Sequence, residues 1–281
     1  MKLATVRTTS GTAAVRVDGD TAVETGHHDV GALLRQESWR EAAATATGRT
    51  HRTADLDHAP VVPQPGKIIC VGLNYRNHIL EMGRELPLYP TLFAKYPEAL
   101  VGAYDDIVLP AVSEAVDWEA ELALVVGTEV RHADRETAAA AIAGYSVLND
   151  VTARDWQYRS PMWLQGKTFE ATTPFGPYLV TPDEADAPAG LTISGAVDGE
   201  TVQRADTADL VFDPAALVSY VSTILTLRPG DVIATGTPGG VGHAREPRRY
   251  LAEGQVLTTS IEGIGELHNT CRAEKTAAAR G

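Results

Sequence analysis

Two glutamates stand two residues apart at the start of an apolar segment. Glu119 and Glu121 introduce residues 122–127, a branched apolar run that ends in glycine and predicts a buried strand. Residues two apart on a strand share a face, so the carboxylates would repel each other, and burial would make each charge costlier. A divalent cation bound by carboxylate oxygens would remove that repulsion. The alternative is an edge strand with two solvated glutamates.

A third carboxylate follows another apolar segment. Asp150 comes at the end of the strand predicted for residues 144–148, where an isolated charge would be costly. We therefore predict that Asp150 joins Glu119 and Glu121 in binding one divalent cation. Asp150 is also placed to cap a helix that begins within residues 151–155, and capping is compatible with metal binding.

A histidine and a glutamate lie three residues apart after a further apolar strand. Asn74 or Asn77 can cap a short helix at this point. On that helix His78 and Glu81 would share a face, so the carboxylate could fix the imidazole tautomer and leave the other ring nitrogen as a general base. A surface ion pair is the alternative. The polar residues 83–90 are typical of a mobile flap.

Two further segments could contact a ligand. Lys167 follows a glycine, which permits a close approach, and its ammonium could offset developing negative charge. Residues 236–242 form a Gly-rich loop without the Gly-Lys-Ser/Thr ending of a phosphate loop and without a Gly-x-Gly-x-x-Gly pattern at a helix start. Nucleotide binding is therefore not expected, although the loop's free N–H groups could hold a carboxylate.

The residues that position these groups begin with a small N-terminal unit. Short strands alternate with turns such as Asp18-Gly19, and Asp29 can cap a helix that runs towards Gly48. Three prolines within residues 59–66 predict a stiff, extended connector. We therefore expect a small α+β domain at residues 1–62.

The rest of the chain predicts strands with a few helices between them. The Ala-rich residues 135–143 predict a helix, and residues 214–226 predict another with one apolar face. Residues 192–201 predict a hairpin with Asp198-Gly199 at its turn. Strands after Gln255 are expected to close the fold.

Composition limits the classes of partner. The 281 residues include 24 Lys and Arg against 37 Asp and Glu, a net charge of −13, which argues against a nucleic-acid surface. Cys70 and Cys271 are too few for a disulfide framework, so we expect a reducing compartment. The sequence contains no membrane-length apolar run and no signal-peptide core, and we predict a cytoplasmic protein without a membrane partner.

Five motifs in series resemble the fumarylacetoacetate hydrolase family. In chain order they are Val71-Gly72-Leu73-Asn74-Tyr75 with His78 and Glu81, Asp117-x-Glu119-x-Glu121-Leu122, Asn149-Asp150-Val151-Thr152-Ala153-Arg154-Asp155, Gly166-Lys167-Thr168-Phe169, and Asp231-Val232-Ile233-Ala234-Thr235-Gly236-Thr237-Pro238. One motif alone would be weak, but five in order and spacing are specific. The resemblance extends over about residues 67–271, nearly all of the chain after the proline-rich connector.

The resemblance implies a fold and a set of site residues. The fold would be α+β and mainly β, with a mixed β-sandwich roll at residues 63–272, the small domain at 1–62 before it and a tail at 273–281 after it. A homodimer is implied as well. The implied residues are Glu119, Glu121 and Asp150 for Mg²⁺ or Mn²⁺, His78, Glu81 and Lys167 for catalysis, and Arg154, Gln157 and Thr237 for substrate binding.

The family includes acylpyruvate and fumarylpyruvate hydrolases, 2-oxo acid decarboxylases and hydroxymuconate-type isomerases. A 2-oxo acid can chelate the cation, and a His78–Glu81 dyad would activate water for attack on a carbonyl two carbons away. We therefore predict C–C hydrolysis of a small 2,4-dioxo acid to pyruvate and a carboxylic acid. Decarboxylation of an oxaloacetate-type acid and isomerisation are alternatives, and a binding protein without turnover is another. Metal titration with a turnover assay separates them.

Overall fold

The computed structural model describes residues 1–81 and 83–275, with the backbone alone at Glu81. The strands among these residues are, in chain order, β1 (Lys2–Thr8), β2 (Gly11–Asp18), β3 (Thr21–Glu24), β4 (Thr50–Arg52), β5 (Ile68–Gly72), β6 (Thr91–Lys95), β7 (Leu100–Val101), β8 (Ile107–Leu109), β9 (Val116–Asp117), β10 (Ala120–Val126), β11 (Ile142–Asn149), β12 (Thr152–Ala153), β13 (Thr173–Val180), β14 (Thr192–Val197), β15 (Glu200–Asp206), β16 (Val232–Ala234), β17 (Val256–Ile261) and β18 (Gly265–Ala273). The helices are α1 (Val30–Leu34), α2 (Trp39–Ala44), α3 (Arg76–Glu81), α4 (Arg135–Ala140), α5 (Arg154–Gln157), α6 (Leu164–Lys167) and α7 (Pro214–Ile224).

The strand that carries Glu121, β10, lies inside the long sheet. That sheet runs in the order β4-β3-β2-β1-β13-β11-β10-β16-β5-β6, and β7 pairs with β13 beside this path. Ala123 pairs with Ser146 of β11 on one side and with Ala234 of β16 on the other. All seven residues of β10 are buried. The alternative of an edge strand with solvated glutamates is therefore wrong, because both edges of β10 are covered.

Both faces of β10 are covered as well. Leu122 and Leu124 pack in a core shared with Leu267 of a second sheet, which runs β15-β14-β17-β18-β8. Ala123 and Val125 face a second core that contains residues of α1 and α2. A strand buried on both faces carries a continuous apolar run rather than an alternating one, which explains the sequence of β10. The predicted fold class, α+β and mainly β, is confirmed.

The N-terminal strands continue the long sheet. The predicted strands and their turns are present, and β1 pairs with β13 through Lys2↔Val180 and Leu3↔Leu179. The proline-rich connector is not a solvated spacer, since Val61 and Val62 are buried against the core that contains α1. Whether residues 1–62 form a domain of their own stays a prediction.

The single helix predicted from Asp29 towards Gly48 is instead two short helices, α1 and α2. Asp29 caps α1 as expected, accepting a hydrogen bond from the Ala32 N–H at 2.6 Å. After α1 the chain makes tighter turns, with the Trp39 N–H bonded to the Gln36 carbonyl at 3.0 Å. These turns let the buried Trp39 pack on the same core as α1. A continuous helix is therefore wrong because tertiary packing of Trp39 outweighs local helix propensity.

Other local predictions are confirmed. Strands β14 and β15 form the predicted hairpin, and Asp198 and Gly199 have φ angles of 52° and 81°, as a two-residue primed turn requires. Helix α7 buries Leu217 and Val221 on its apolar face. No helix among the described residues has the length and apolar character needed to cross a bilayer. Of the predicted tail at 273–281, residues 276–281 lie outside the described residues.

Candidate metal centre and active site

Strand pairing brings the three predicted metal ligands together. In the β10–β11 ladder Ala120 pairs with Asn149, so the residues that flank this pair are neighbours. The Asp150 N–H donates to the Glu119 carbonyl at 2.8 Å. One carboxylate oxygen each from Glu119, Glu121 and Asp150 lies within 4.8 Å of the other two. Among the side chains that the structure describes, this is the only group of three or more acidic, histidine or cysteine residues so arranged.

Three basic side chains contact this carboxylate cluster. Lys167 Nζ donates to Glu119 Oε2 at 2.7 Å and to Asp150 Oδ2 at 2.8 Å. Lys95 Nζ donates to the other Asp150 oxygen, Oδ1, at 2.7 Å, and the Arg154 guanidinium lies 2.7 Å from Glu119 Oε1. All five side chains are buried, and breaking such a pair would leave an uncompensated buried charge. Glu119 and Asp150 are therefore held in place from two sides each.

The contacts of Asp150 show whether it caps a helix, an alternative that the sequence leaves open. Both of its carboxylate oxygens are bonded to lysines, whereas helix α5 has Ala153 as its N-cap and no side-chain cap bond. Burial alone would raise the pKa of Asp150, but the charges of Lys167 and Lys95 hold it below its ordinary value. Helix capping by Asp150 is wrong, because the segment after it forms β12 before α5 begins.

Glu121 is the member of the cluster without a cationic partner. Its Oε2 accepts a hydrogen bond from the Gly236 N–H at 2.8 Å, and no described lysine or arginine lies within ion-pair distance. Burial raises the pKa of Glu121 well above its ordinary value, and the charges of Asp150 and Glu119 raise it further. A hard divalent cation takes oxygen donors of this kind and would offset the repulsion. The residues present therefore fit Mg²⁺ or Mn²⁺.

Lys95 is a site residue that sequence reasoning missed. It ends β6, and its side chain is fully buried beside Asp150. The signal that could have identified Lys95 is its place at the end of a strand, where an isolated buried charge is as costly for a lysine as for a carboxylate.

Asp117 is a second missed residue, and it ties the Gly-rich loop to the site. Its carboxylate accepts hydrogen bonds from the backbone N–H groups of Trp118 at 2.8 Å, Gly242 at 2.7 Å and His243 at 3.0 Å, and from Arg154 Nε at 2.8 Å. Gly242 must lack a side chain, since a Cβ there would lie 1.9 Å from the Arg249 carbonyl oxygen. The loop N–H groups thus hold carboxylates, as expected, but these belong to the protein itself.

Lys167 reaches the cluster because α6 lies close against α5. A Cβ at Gly166 would meet the Gln157 nitrogen at 2.4 Å and the Ala153 oxygen at 2.5 Å, so glycine permits the approach. Burial lowers the pKa of Lys167, whereas Asp150 and Glu119 raise it by a larger amount, and the net shift is upward. These carboxylates therefore favour the protonated, cationic form of Lys167 at neutral pH.

A cavity of about 280 Å³ opens beside the cluster. Six of the nine predicted site residues line it, namely His78, Glu119, Arg154, Gln157, Lys167 and Thr237. Arg154 Nη1 donates to Gln157 Oε1 at 3.0 Å, and Thr237 Oγ1 donates to the Ala120 carbonyl at 3.0 Å. Arg84 and His243, which were not assigned to the site, line it as well. The apolar lining includes Val71, Phe93, Trp163 and Val241.

Helix α3 carries the predicted histidine–glutamate pair. His78 is half-buried and lines the cavity together with Lys167. The Glu81 side chain lies outside the described residues, so its pairing with His78 stays a prediction. Asn74 does not act as a side-chain cap. Its Oδ1, the atom that would cap a helix, instead accepts a hydrogen bond from the Phe212 N–H at 2.8 Å. Its Nδ2 donates to the Phe212 and Thr235 carbonyls, and these bonds anchor the turn before α3.

Comparisons with known proteins agree with this arrangement. The family model for the C-terminal domain of fumarylacetoacetate hydrolases matches residues 67–272. The chain is 45% identical over 212 residues to the mitochondrial oxaloacetate tautomerase Fahd2a of Rattus norvegicus. The aligned residues cover 75% of this chain and 67% of that protein. The name of that relative includes a mitochondrial location, and the cytoplasmic location of this chain stays a prediction.

Two solved structures resemble the whole chain. A fumarylacetoacetate hydrolase from Exiguobacterium antarcticum has a TM-score of 0.88 at 33% identity, and a 5-carboxymethyl-2-hydroxymuconate delta-isomerase from Mycobacterium smegmatis has 0.82 at 32%. Each alignment covers 98% of this chain and 100% of the other. The matched family domain spans most of the chain and includes the carboxylate cluster, Lys167 and the lining of the cavity. The chain therefore belongs to the fumarylacetoacetate hydrolase family.

Proposed function

We propose that this chain is a divalent-metal-dependent enzyme that enolises a small 2-oxo acid, moving a proton between carbon 3 and the 2-oxo oxygen. One observation supports this proposal most directly. The buried carboxylate cluster meets a small cavity through Glu119, and the same cavity is lined by the cations Lys167 and Arg154. Negative charge on a substrate carboxylate and on a developing enolate would be favourable there. A volume of about 280 Å³ suits a small acid rather than a drug-sized ligand.

The proposed metal ligands are Glu119, Glu121 and Asp150. When bound, the ion would polarise the 2-oxo group and offset the charge that develops on its oxygen. Lys95 and Lys167 hold the two oxygens of Asp150, so the direction of that carboxylate is fixed before any ion arrives. Such fixed partners orient metal ligands and typically change metal affinity by about tenfold to a hundredfold when removed.

Two groups lining the cavity have proposed roles in the proton transfer. Lys167 would supply positive charge near the substrate carboxylate or the enolate oxygen. His78 is the proposed general base that removes the proton from carbon 3 and delivers it to the enolate oxygen, or carries out the reverse transfer, because an imidazole can both accept and donate a proton. Glu81 would orient His78 from the same helix. Arg154, Gln157 and Thr237, which line the same cavity, would orient the substrate.

The names of two related proteins support enolisation, whereas another solved structure of comparable similarity is named a hydrolase. The 45% identical relative is named an oxaloacetate tautomerase, and a structural neighbour is named a hydroxymuconate isomerase. Both reactions shift a proton without attack by water. Hydrolysis of a 2,4-dioxo acid is retained as a second candidate, because His78 lines the cavity and could activate a water molecule there. Decarboxylation of oxaloacetate would pass through the same enolate.

A substrate panel separates these reactions. The purified protein, with and without Mg²⁺ or Mn²⁺, is given oxaloacetate, acetylpyruvate, fumarylpyruvate and a hydroxymuconate-type acid. We expect metal-dependent loss of enol absorbance from oxaloacetate or the hydroxymuconate-type acid without release of pyruvate. Pyruvate from the dioxo acids, with the other two inert, would instead establish the hydrolase. Pyruvate and CO₂ from oxaloacetate would establish the decarboxylase, and inertness towards all four would overturn the proposal.

The assembly and location predicted from the sequence are proposals as well. We expect a homodimer, which light scattering of the purified chain would test. The cytoplasmic location is tested by fractionating cells that express the protein at its natural level.

A further inference from the structure

His243 is a cavity-lining residue with a position that the protein fixes closely. Its backbone N–H is bonded to buried Asp117, and the preceding Gly242 is held against the Arg249 carbonyl. The imidazole lies between two tyrosines, with ring centroids 5.3 Å from Tyr158 and 6.2 Å from Tyr250. Such restraint would lower the cost of binding a ligand at His243, because little conformational freedom remains to be lost.

The hydrogen bonds of this imidazole leave one nitrogen for a ligand. Nδ1 lies 2.9 Å from the Tyr250 hydroxyl. Burial lowers the pKa of His243, and the nearby charges of Arg248 and Arg154 lower it further, which favours the neutral ring. When Nδ1 accepts the tyrosine proton, Nε2 carries the ring hydrogen and can donate it.

Arg84 supplies a second unused donor in the same cavity. It is exposed, lines the cavity and has no carboxylate within ion-pair distance among the described residues. Arg154 and Lys167, by contrast, already contact acidic side chains. The lining includes two arginines, one lysine and two histidines but a single carboxylate, Glu119, in a chain with a net charge of −13. Because Arg154 and Lys167 are paired with carboxylates, Arg84 is the cation of the described lining that remains to attract a second negative charge on a ligand.

We propose that His243 Nε2 and Arg84 receive the distal carboxylate of the substrate, so that the site selects 2-oxo dicarboxylic acids over monocarboxylic ones. The proposal rests on the proposed function, in which the 2-oxo end of the acid lies at Glu119, Glu121 and Asp150. In this arrangement Lys167 and Arg154 contact the 2-oxo end of the bound acid, and His243 and Arg84 contact its distal carboxylate.

The test compares malate with lactate, which differ by the distal carboxylate and carry a 2-hydroxy group that does not enolise. Dissociation constants are measured by calorimetry in Mg²⁺ buffer for the wild type, His243→Phe and Arg84→Gln. Phenylalanine keeps a ring between the tyrosines but has no donor. Arg248→Gln is the matched control, since Arg248 lies near His243 without lining the cavity. Melting temperatures verify that each variant folds.

We expect the wild type to prefer malate, and each of the two variants to bind malate about tenfold more weakly, as for loss of one charge-assisted hydrogen bond. Lactate binding and the control should change less than about twofold. A wild type without preference for malate, unchanged malate binding in both variants, or equal weakening of malate and lactate would overturn the proposal. If the malate preference depends on both side chains but no 2-oxo acid is turned over, the proposed function fails and this assignment stands.

Discussion

Two buried carboxylates on the same short segment have opposite surroundings. Asp117 accepts three backbone hydrogen bonds and an arginine, so its charge is fully compensated by the protein. Glu121, four residues later, accepts one backbone hydrogen bond and lies among two other carboxylates. A satisfied buried charge organises the structure around it, whereas an unsatisfied one in a like-charged group indicates a position for a cation. The same side-chain chemistry thus serves structure at one position and ligand binding at the other.

The largest effect is expected from Asp117→Asn. The substitution removes a charge that Arg154 and the Gly-rich loop require, and loss of one partner of a buried ion pair costs about 3–5 kcal/mol. The melting temperature of the metal-free protein should fall by several degrees, measured by calorimetry. The affinity for Mn²⁺, measured on the folded variant, should change little by comparison. If the Asp117→Asn protein is as stable as the wild type, Asp117 does not have the structural role assigned to it in this comparison.

Glu121→Gln should give the reverse of the Asp117→Asn result, with weaker metal binding and no loss of stability. Loss of one of three anionic ligands should weaken Mn²⁺ binding by about a hundredfold or more, measured by calorimetry or by the electron paramagnetic resonance of free Mn²⁺. The metal-free variant should be at least as stable as the wild type, because repulsion within the cluster is reduced. At an Mn²⁺ concentration that just saturates the wild type, the rise in melting temperature should be clearly smaller for this variant than for the wild type. Unchanged Mn²⁺ affinity would show that the metal site is misassigned.

His78→Ala should separate the catalytic step from metal binding, because only turnover is expected to depend on His78. Turnover of the active substrate should fall by about a hundredfold, the typical contribution of a general base. Mn²⁺ affinity should match the wild type, since His78 lies outside the carboxylate cluster. A turnover number near that of the wild type would exclude His78 as the base.

The smallest effect is expected from Lys95→Met, which removes a charge on the side of Asp150 away from Lys167. The Asp150 carboxylate keeps its hydrogen bond to Lys167, so Mn²⁺ affinity should weaken by only about tenfold. The matched comparison is Lys167→Met, which should reduce turnover as well because Lys167 lines the cavity. Equal effects of the two substitutions on turnover would mean that Lys167 acts only through Asp150.

Local patterns in the sequence were sufficient for much of the fold and for the candidate ligands. The apolar run after Glu121 identified β10, and Asp198-Gly199 identified a hairpin turn, because strand burial and turn chemistry act over a few residues. Charged side chains at strand ends identified Glu119, Glu121 and Asp150, which the structure brings together. The motifs also identified the family.

Tertiary structure alone decided which charges are satisfied. Lys95 meets Asp150 across 55 residues of sequence, and Gly242 meets Asp117 across 125. The position of β10 inside the sheet depends on β16, which lies more than a hundred residues later. No local periodicity records such pairs, because a strand's own pattern is the same whether its edge is covered or exposed. The difference between Asp117 and Glu121 therefore arises only when the chain folds, since it lies in the donors that distant segments supply.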